Sequence, residues 1–332
     1  MVRPLTTKIW RFRSQILTEI RLFFKQRGYL EVNTPILNPT GAVEPFIDAF
    51  QIQRQVPRKS PEARPSAEGW LITSPEYNLK ILAAELQTPV FEIAHCFREG
   101  DQGGEHTEEF LMLEWYNLGA SMDDLIVETH LLLERLTLSS GLATESSQES
   151  AEATPSAMIQ THPRRQTIAA LFREHLGCGI EFEDLARVAR VKELGSATDR
   201  YDELFFSLFL NEIESKLQTD HPLFLTDYPL PLAALSRSDG NTAKRFEVYW
   251  KGRELANGYE ELLDYSEHER RFAEWNAIRR ATGRVEMKSD PQFMAMLKNG
   301  TLPPCSGIAL GIERLLMSLL EVEQISEVSP FA

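Results

Sequence analysis

Cysteine, positive charge and long apolar runs are all scarce in this chain. Its three cysteines, Cys96, Cys178 and Cys305, lie far apart without a CxxC pair, so we expect free or buried thiols rather than a zinc site or a disulfide framework. The 35 basic residues are outnumbered by 49 acidic ones, and the formal net charge of −14 disfavours a general electrostatic grip on nucleic acid. No apolar run is long enough to cross a bilayer, and the N-terminus lacks the apolar core of a signal peptide. Together these absences predict a cytoplasmic protein.

The chain does contain enough apolar residues for a folded core. Its 332 residues are 42% hydrophobic, which allows one large core or two modest ones. Helical spacing over residues 10–26 predicts an amphipathic helix that ends before Gly28, and the alternation that follows predicts a strand ending at Pro35. Residues 54–69 are polar and rich in proline, which predicts an exposed loop. Residues 142–166 lack apolar periodicity and are rich in Ser, Thr, Glu and Ala, which predicts a flexible connection.

Strand and helix patterns are mixed along the rest of the chain. The predicted elements are a strand, a turn at Ser74-Pro75 and a helix within 70–86, strands over 89–99 and 109–118 joined by a glycine-containing loop, a helix over 122–141, helical segments up to Leu217, strands over 224–235 and 245–252, and a strand running into a helix over 305–325. They follow no regular βαβ rhythm. This favours an α+β fold, an antiparallel sheet flanked by helices.

Two glutamates flank a predicted hairpin turn in the stretch FEVYWKGRELANG. If the turn is centred on residues 250–251, Glu247 and Glu254 are direct cross-strand partners; if it is centred on residues 251–252, Glu254 faces Tyr249. Both registers place the two carboxylates on one face, where like charges destabilise a sheet. A hard cation such as Mg²⁺ would remove this conflict by bridging the carboxylates to phosphate oxygens. From this segment alone, the alternative is two solvated glutamates on an exposed face.

Three further segments have a distinctive order and spacing. RGYLEVNTP (residues 27–35) joins a basic residue, a glycine and an aromatic residue to a Thr-Pro pair. CFRE (96–99), followed by EHTEEFLMLEWY (105–116), places an arginine at the end of one strand and a phenylalanine at the start of the next. GIALGIER (307–314) places two glycines before a strand-to-helix arginine. Each segment is weak evidence alone, but together they resemble the three signature motifs of the class II aminoacyl-tRNA synthetases.

The resemblance is strongest to lysyl-tRNA synthetase catalytic domains, through TSPEYNLK, EFLMLEWY, RFEVYWKGRELANGYEEL and SGIALGIERLLM. Within that superfamily the chain is similar to the elongation factor P lysine ligases. The first motif begins near residue 27, which leaves no room for the N-terminal OB-fold that reads the anticodon in lysyl-tRNA synthetases. We therefore expect one catalytic domain over residues 1–332, and a protein rather than a tRNA as the acceptor.

The resemblance implies that an amino acid is activated with ATP and Mg²⁺. Arg98 and Arg314 would be the catalytic residues, with Arg98 on the α-phosphate and Arg314 on the distal phosphates. Glu247 and Glu254 would hold Mg²⁺, and Phe110 would stack on the adenine with Arg314 on the opposite ring face. The implied ATP-binding residues are Arg98, Glu99, Gly100, His106, Thr107, Phe110, Glu254, Leu255, Gly311 and Arg314.

The implied amino-acid pocket would hold two amines. Glu76 would pair with one ammonium group, and Glu261 and Tyr116 would hold the other. Strict alternation puts Glu261 on the face opposite Glu254, and a bulge at residues 257–258 would restore a shared face. The implied substrate-binding residues are Ser74, Pro75, Glu76, Tyr116, Glu261 and Ala309.

Ala309 stands where lysyl-tRNA synthetases carry a third glycine. Gly307 and Gly311 would form the floor of the pocket, where a missing side chain lets the ligand lie close to the backbone. The methyl group of Ala309 narrows that floor. We hypothesise that it disfavours α-lysine and suits the displaced amine of (R)-β-lysine.

The second motif departs from the usual pattern. It reads REG (98–100) instead of Arg-x-Glu, and HTEEF (106–110) instead of His-Asn-Pro-Glu-Phe. The acidic group that meets the adenine amino group therefore has no counterpart at position 100, and Glu99 or Asp101 would have to replace it. Thr107 replaces an asparagine expected near the phosphates and the metal. The histidine of this loop would close over pyrophosphate or would be a plain surface histidine.

The resemblance also implies partners. The acceptor would be a lysine side chain of elongation factor P, and lysine or (R)-β-lysine would be the amino acid. Class II cores usually pair through their first motif, so we expect a homodimer with residues 27–35 at its interface. Two alternatives stay open: a stand-alone enzyme acting on tRNA or a small amine, and a non-catalytic paralogue with a regulatory role.

Overall fold

The structure, a computed structural model, describes residues 6–53, 68–140, 162–194 and 200–329. Its α-helices are α1 (Thr7–Gln26), α2 (Glu76–Leu86), α3 (Met122–Ser139), α4 (Ile168–Leu176), α5 (Phe182–Val191), α6 (Tyr201–Leu208), α7 (Tyr265–Ala281), α8 (Pro291–Lys298) and α9 (Ile312–Leu320). Its strands are β1 (Leu30–Glu31), β2 (Leu37–Asn38), β3 (Gln51–Gln53), β4 (Glu68–Leu71), β5 (Val90–Phe97), β6 (Glu109–Leu118), β7 (Arg164–Thr167), β8 (Leu223–Pro229), β9 (Ser238–Asp239), β10 (Thr242–Trp250), β11 (Arg253–Glu260) and β12 (Cys305–Gly311).

One large sheet organises these elements. Its strand order is β1-β5-β6-β12-β11-β10-β8-β7, with β9 paired to β10. The run from β5 to β8 is antiparallel throughout, as predicted, whereas the outer pairs β1–β5 and β7–β8 are parallel. A small antiparallel sheet, β2-β4-β3, lies apart from it.

The first helix illustrates how the sequence pattern builds the core. Thr6 caps α1 by accepting a hydrogen bond from the Ile9 amide, and the helix stops before Gly28, which adopts a φ of 79°. Its buried stripe includes Phe24, whose ring stacks on Phe91 of β5 at a centroid distance of 4.7 Å. The predicted helix is therefore confirmed, with a start at Thr7 rather than at residue 10.

The two faces of the sheet do different work. On β12, Ile308 and Leu310 belong to the apolar core formed with α1, α3 and α9. The alternate residues Gly307, Ala309 and Gly311 line a cavity. Because side chains alternate along a strand, the face away from these helices is left to form the site.

Several sequence predictions were wrong in their bounds. Regular pairing after α1 stops at Glu31, so no strand continues to Pro35. Residues 164–166 form part of β7 rather than a flexible connection, because they pair with β8. Residues 68–69 belong to β4 rather than to a loop, and a 3₁₀ turn over Leu230–Leu232 ends the predicted strand over 224–235.

Other predictions fall outside the described residues. These are the loop over 54–67 and the connection over 142–161. The single catalytic domain over residues 1–332 also stays a prediction. All three cysteines are buried and free. In the described ranges, we find no helix with the combination of length and apolarity that a membrane span requires.

Candidate active site

The candidate site is a cavity of about 250 Å³ on the sheet face away from α1 and α3, and the first turn of α9 reaches its wall. Most of the predicted site residues line it: Ser74, Glu76, Arg98, His106, Thr107, Phe110, Tyr116, Glu254, Leu255, Glu261, Ala309, Gly311 and Arg314. The lining does not include Pro75, Glu99, Gly100 or Glu247. Pro75 is the N-cap residue of α2, and the amide of Gly100 donates to Glu108 Oε1 at 2.9 Å.

The β10–β11 hairpin adopts the second of the two predicted registers. Tyr249 pairs with Glu254 across a two-residue turn. Lys251 and Gly252 form this turn with φ values of 52° and 77°, the positive angles that tight hairpin turns favour. Glu247, two residues before Tyr249 on β10, pairs with Asn257 of β11.

A bulge brings Glu254 and Glu261 into the same cavity, but it is not at residues 257–258 as predicted. The pairing shifts between Val248 and Tyr249, which leaves Leu255 as the extra residue of β11. Beyond Leu255 the register is regular on both sides of the strand. The extra residue reverses the alternation once, so two glutamates seven positions apart line one cavity.

At one end the cavity is lined by two arginines, Arg98 and Arg314, which alternate with carboxylates of Asp101, Glu105 and Glu254. The Arg98 guanidinium lies 5.1 Å from the centroid of the Phe110 ring, and its Nε has no hydrogen-bond partner among the described residues. Arg314 donates to the Glu254 carbonyl at 3.0 Å and contacts His106 Nε2. Burial and the nearby Arg314 lower the pKa of His106, which favours a neutral imidazole. Two arginines thus face one space, as a triphosphate would require.

The loop between β5 and β6 is fastened over this end. Arg253 donates to Glu105 Oε1 at 2.7 Å and to the Val322 carbonyl at 2.9 Å. The amide of Ile325 donates to the Gly104 carbonyl at 2.8 Å. Asp101 from the same loop lines the cavity and Glu99 does not. Of the two residues that would replace the missing acidic group, only Asp101 is therefore in position.

The two hairpin glutamates have different surroundings. Glu247 is buried in an ion pair with Arg245, and Tyr228 Oη donates to its Oε2 at 2.6 Å. Glu254 keeps 35% of its side chain accessible to the cavity, and Arg314 Nη1 lies 3.9 Å from its Oε2. Enclosure by protein and repulsion from Glu247 raise the pKa of Glu254 to about 7.

These surroundings fit a cation at Glu254 better than at Glu247. A cation beside Glu254 would relieve the repulsion that raises its pKa, whereas Glu247 already has Arg245. Across the described part of the chain, no three His, Cys, Asp or Glu side chains are grouped to hold a metal. An ion held by Glu254 would thus need further ligands from outside the protein, such as water and phosphate oxygens.

At the other end the cavity is acidic around one lysine that the sequence analysis did not single out. Lys80 Nζ lies 2.6 Å from Glu76 Oε1 and 2.6 Å from Glu261 Oε2, and its side chain is 1% exposed. Tyr116 Oη donates to Glu114 Oε1 at 2.7 Å. Lys80 therefore arranges the two glutamates that were predicted to bind substrate amines.

Four carboxylates lie at this acidic end: Glu44, Glu76, Glu114 and Glu261. Burial is the largest cause that raises the pKa of Glu114 well above its usual value and those of Glu44 and Glu261 to about 7; repulsion from Glu76 contributes in all three. The raised pKa values show that negative charge is crowded around a single lysine, so this end of the cavity favours a cationic ligand, which would stabilise the charged carboxylates.

The glycine floor was predicted from the sequence, and the structure gives its physical reason. A Cβ on Gly307 would lie 2.2 Å from the Tyr116 ring. The tyrosine reaches Glu114 only because position 307 has no side chain. Sequence reasoning missed Lys80 and Glu114 although both lie in quoted motif segments, and it had no signal for Glu44.

Comparison with known proteins agrees with this geometry. A family model described as tRNA synthetases class II (D, K and N) matches residues 1–332. The chain belongs to this family.

Similar proteins narrow the resemblance further. Three of them, each named "Elongation factor P--(R)-beta-lysine ligase", come from Baumannia cicadellinicola subsp. Homalodisca coagulata (35% identical over 329 residues), Pasteurella multocida (strain Pm70) (36% over 327) and Proteus mirabilis (strain HI4320) (35% over 325). Each comparison covers 96% of this chain and 93% of the relative. The predicted resemblance to elongation factor P lysine ligases is confirmed, and so is the α+β fold class.

Proposed function

We propose that this chain is an ATP-dependent ligase that activates (R)-β-lysine or lysine and transfers it to a lysine side chain of elongation factor P. The observation that carries this proposal is one cavity with two opposite ends. Arg98 and Arg314 face one end, and four glutamates face the other. A nucleoside triphosphate would match the arginines, and the ammonium groups of a diamino acid would match the glutamates.

The first step forms an acyl-adenylate. A carboxylate oxygen of the amino acid attacks the α-phosphorus of ATP, and the bond to pyrophosphate breaks as the new P–O bond forms. Negative charge gathers on the phosphate, so orientation and cationic stabilisation supply most of the catalysis. Arg98, whose Nε has no hydrogen-bond partner among the described residues, is available to hold α-phosphate oxygens. Arg314, next to His106, would hold the distal phosphates.

Glu254 would hold Mg²⁺, and the ion would supply charge neutralisation for the phosphates. Glu247 would not touch the ion and would contribute only its negative charge, since its carboxylate is already bound to Arg245 and Tyr228. Phe110 offers a ring face for the adenine, with Arg98 5.1 Å from its centroid. Asp101 is the acidic group that can meet the adenine amino group.

The second step transfers the acyl group. The neutral ε-amine of the acceptor lysine attacks the acyl carbon, an amide bond forms, and the bond to AMP breaks. The amine loses a proton, for which the departing phosphate is a sufficient acceptor.

A mass measurement tests this function. Purified elongation factor P, ATP and either (R)-β-lysine or lysine are incubated with the enzyme, and the acceptor is expected to gain the mass of one lysyl group. Arg98→Ala should lower the rate about a hundredfold or more, because a donor to the developing charge is lost. Acylation of tRNA instead of protein would refute the proposed acceptor. Absence of ATP–pyrophosphate exchange with either amino acid would support a non-catalytic protein.

We also propose a cytoplasmic homodimer that pairs through residues 27–35. Exposed apolar side chains in and just beyond this segment support it: Leu30, Ile36 and Leu37 are 46%, 45% and 46% exposed. Sedimentation that finds only monomer at micromolar concentration would refute the pairing. The three buried free thiols are compatible with a reducing compartment.

A further inference from the structure

Glu44 is a carboxylate in the cavity that neither the motifs nor a regular element explains. It follows the small sheet strand β2, in a segment without helix or strand, and it lines the cavity beside Ser74 and Glu76. Its Oε2 is shut off from solvent and has no hydrogen-bond partner among the described residues. A buried carboxylate oxygen without a partner is costly, so a ligand group is the natural complement.

The backbone around Glu44 is held in place independently of its side chain. Arg279 is 1% exposed, and its Nη1 donates to the carbonyls of Glu44 at 2.8 Å and of Ile47 at 3.0 Å. Its Nη2 donates to Asp48 Oδ1 at 3.1 Å. The Arg279 clamp binds the main-chain oxygen at position 44 and not the carboxylate, so Glu44 Oε2 is left for a ligand.

The other carboxylates at the acidic end each have one partner, although Glu114 Oε2 and Glu261 Oε1, like Glu44 Oε2, lack a hydrogen bond among the described residues. Glu76 and Glu261 share Lys80, each at 2.6 Å, and Glu114 accepts from Tyr116. Burial, followed by repulsion from Glu76, raises the pKa of Glu44 to about 7, while the positive charges of Arg98 and Lys80 lower it. The segment that carries Glu44 adjoins Arg98, since the Glu99 amide donates to the Asp48 carbonyl at 2.8 Å, and Glu44 lines the cavity together with Arg98 and Glu76.

From this position we propose that Glu44 binds the ammonium group nearest to the reacting carboxyl of the diamino acid. This inference rests on the proposed function, because the reacting carboxyl must meet the α-phosphate at Arg98. An amine on the first or second carbon from that carboxyl would lie on the side of the acidic end that is nearer to Arg98. Glu44 lies on that side. The distal amine is left to Glu114, Glu261 and Tyr116, which line the same cavity.

Calorimetric binding of small ligands to the full chain tests the assignment. The ligands are lysine, (R)-β-lysine and 6-aminohexanoate, which keeps the distal amine and lacks the near one. Glu44→Gln should weaken binding of the preferred diamino acid about ten- to a hundredfold, the range of a hydrogen bond to a charged group. It should leave 6-aminohexanoate within about twofold, and Glu85→Gln, at an exposed position of α2, should change neither.

Thermal unfolding separates binding from folding. The amide of Glu44→Gln relieves the repulsion from Glu76, so the free variant should melt no lower than the wild type. Equal weakening of all three ligands, or unchanged diamino-acid binding, would overturn the role of Glu44 alone. A wild-type chain that binds none of the three ligands would overturn the proposed function as well.

Discussion

Lys80 allows the sharpest stability prediction, through Lys80→Met. The Lys80 ammonium is buried between Glu76 and Glu261, 2.6 Å from each, and the Glu261 side chain is 1% exposed. Burial alone would lower the pKa of Lys80, but the two carboxylates outweigh it and raise the pKa above its usual value. Removing one partner of a buried ion pair typically costs about 3–5 kcal/mol, because the remaining charge is left uncompensated. We expect Lys80→Met to lower the free energy of unfolding by about 3–5 kcal/mol at pH 8.

The loss should depend on pH, and its sign follows from linkage. The folded pKa of Glu261 is about 7, above the unpaired value of 4.5, and losing Lys80 raises it further. A carboxyl whose pKa is raised by folding stabilises the fold at low pH, and that stability is lost as the pH rises through the folded pKa. Protonation of Glu261 should therefore make the defect of Lys80→Met smaller at pH 6 than at pH 8.

Urea unfolding at pH 6, 7 and 8 provides the measurement, since the midpoint shift multiplied by the m-value gives the change in unfolding free energy. Lys288→Met, at an exposed position, is the matched control and should lie within about 0.5 kcal/mol of the wild type. A variant at Lys80 that is as stable as the wild type at pH 8 would refute the reasoning. So would a loss of equal size at all three pH values.

Three further predictions concern the site. Gly307→Ala should displace the Tyr116 ring, which its Cβ would meet at 2.2 Å, and weaken amino-acid binding at least tenfold in calorimetry; Gly311→Ala, with 4.0 Å of clearance, should weaken it far less. Glu254→Gln should lower ATP–pyrophosphate exchange about a hundredfold while amino-acid binding persists, and an unchanged exchange rate would exclude this carboxylate from the nucleotide site. Ala309→Gly should raise activation of α-lysine relative to (R)-β-lysine; an unchanged preference would remove the hypothesis that its methyl group selects the isomer.

The sequence predicted the elements that depend on local patterns. The apolar stripe of α1 and the strand-to-helix run from β12 into α9 follow from periodicity, which is a property of neighbouring residues. The register of the hairpin was one of two possibilities, and Gly252 in the turn is compatible with the one observed. These features were open to prediction because nearby residues decide them.

The features that were missed depend on distant parts of the chain. The bulge at Leu255 adjoins Ala256, where β11 begins to pair with β12 as well as with β10, so the residues of the strand alone do not locate it. Lys80 and Glu261 are far apart in sequence, and only the fold brings their charges to 2.6 Å. Residues 164–166 show no strong strand pattern and are ordered by pairing with β8. Glu44 lies in a segment without periodicity, where no pattern marks it.

The Arg279 clamp has a consequence for how this enzyme can diversify. Because the guanidinium grips carbonyl oxygens, which every residue has, position 44 can accept many side chains without loosening the segment that carries it. The sheet positions around the cavity have no such freedom, since a change there disturbs neighbouring strands. A library randomised at this one codon is thus an economical starting point for redirecting the enzyme toward other amines.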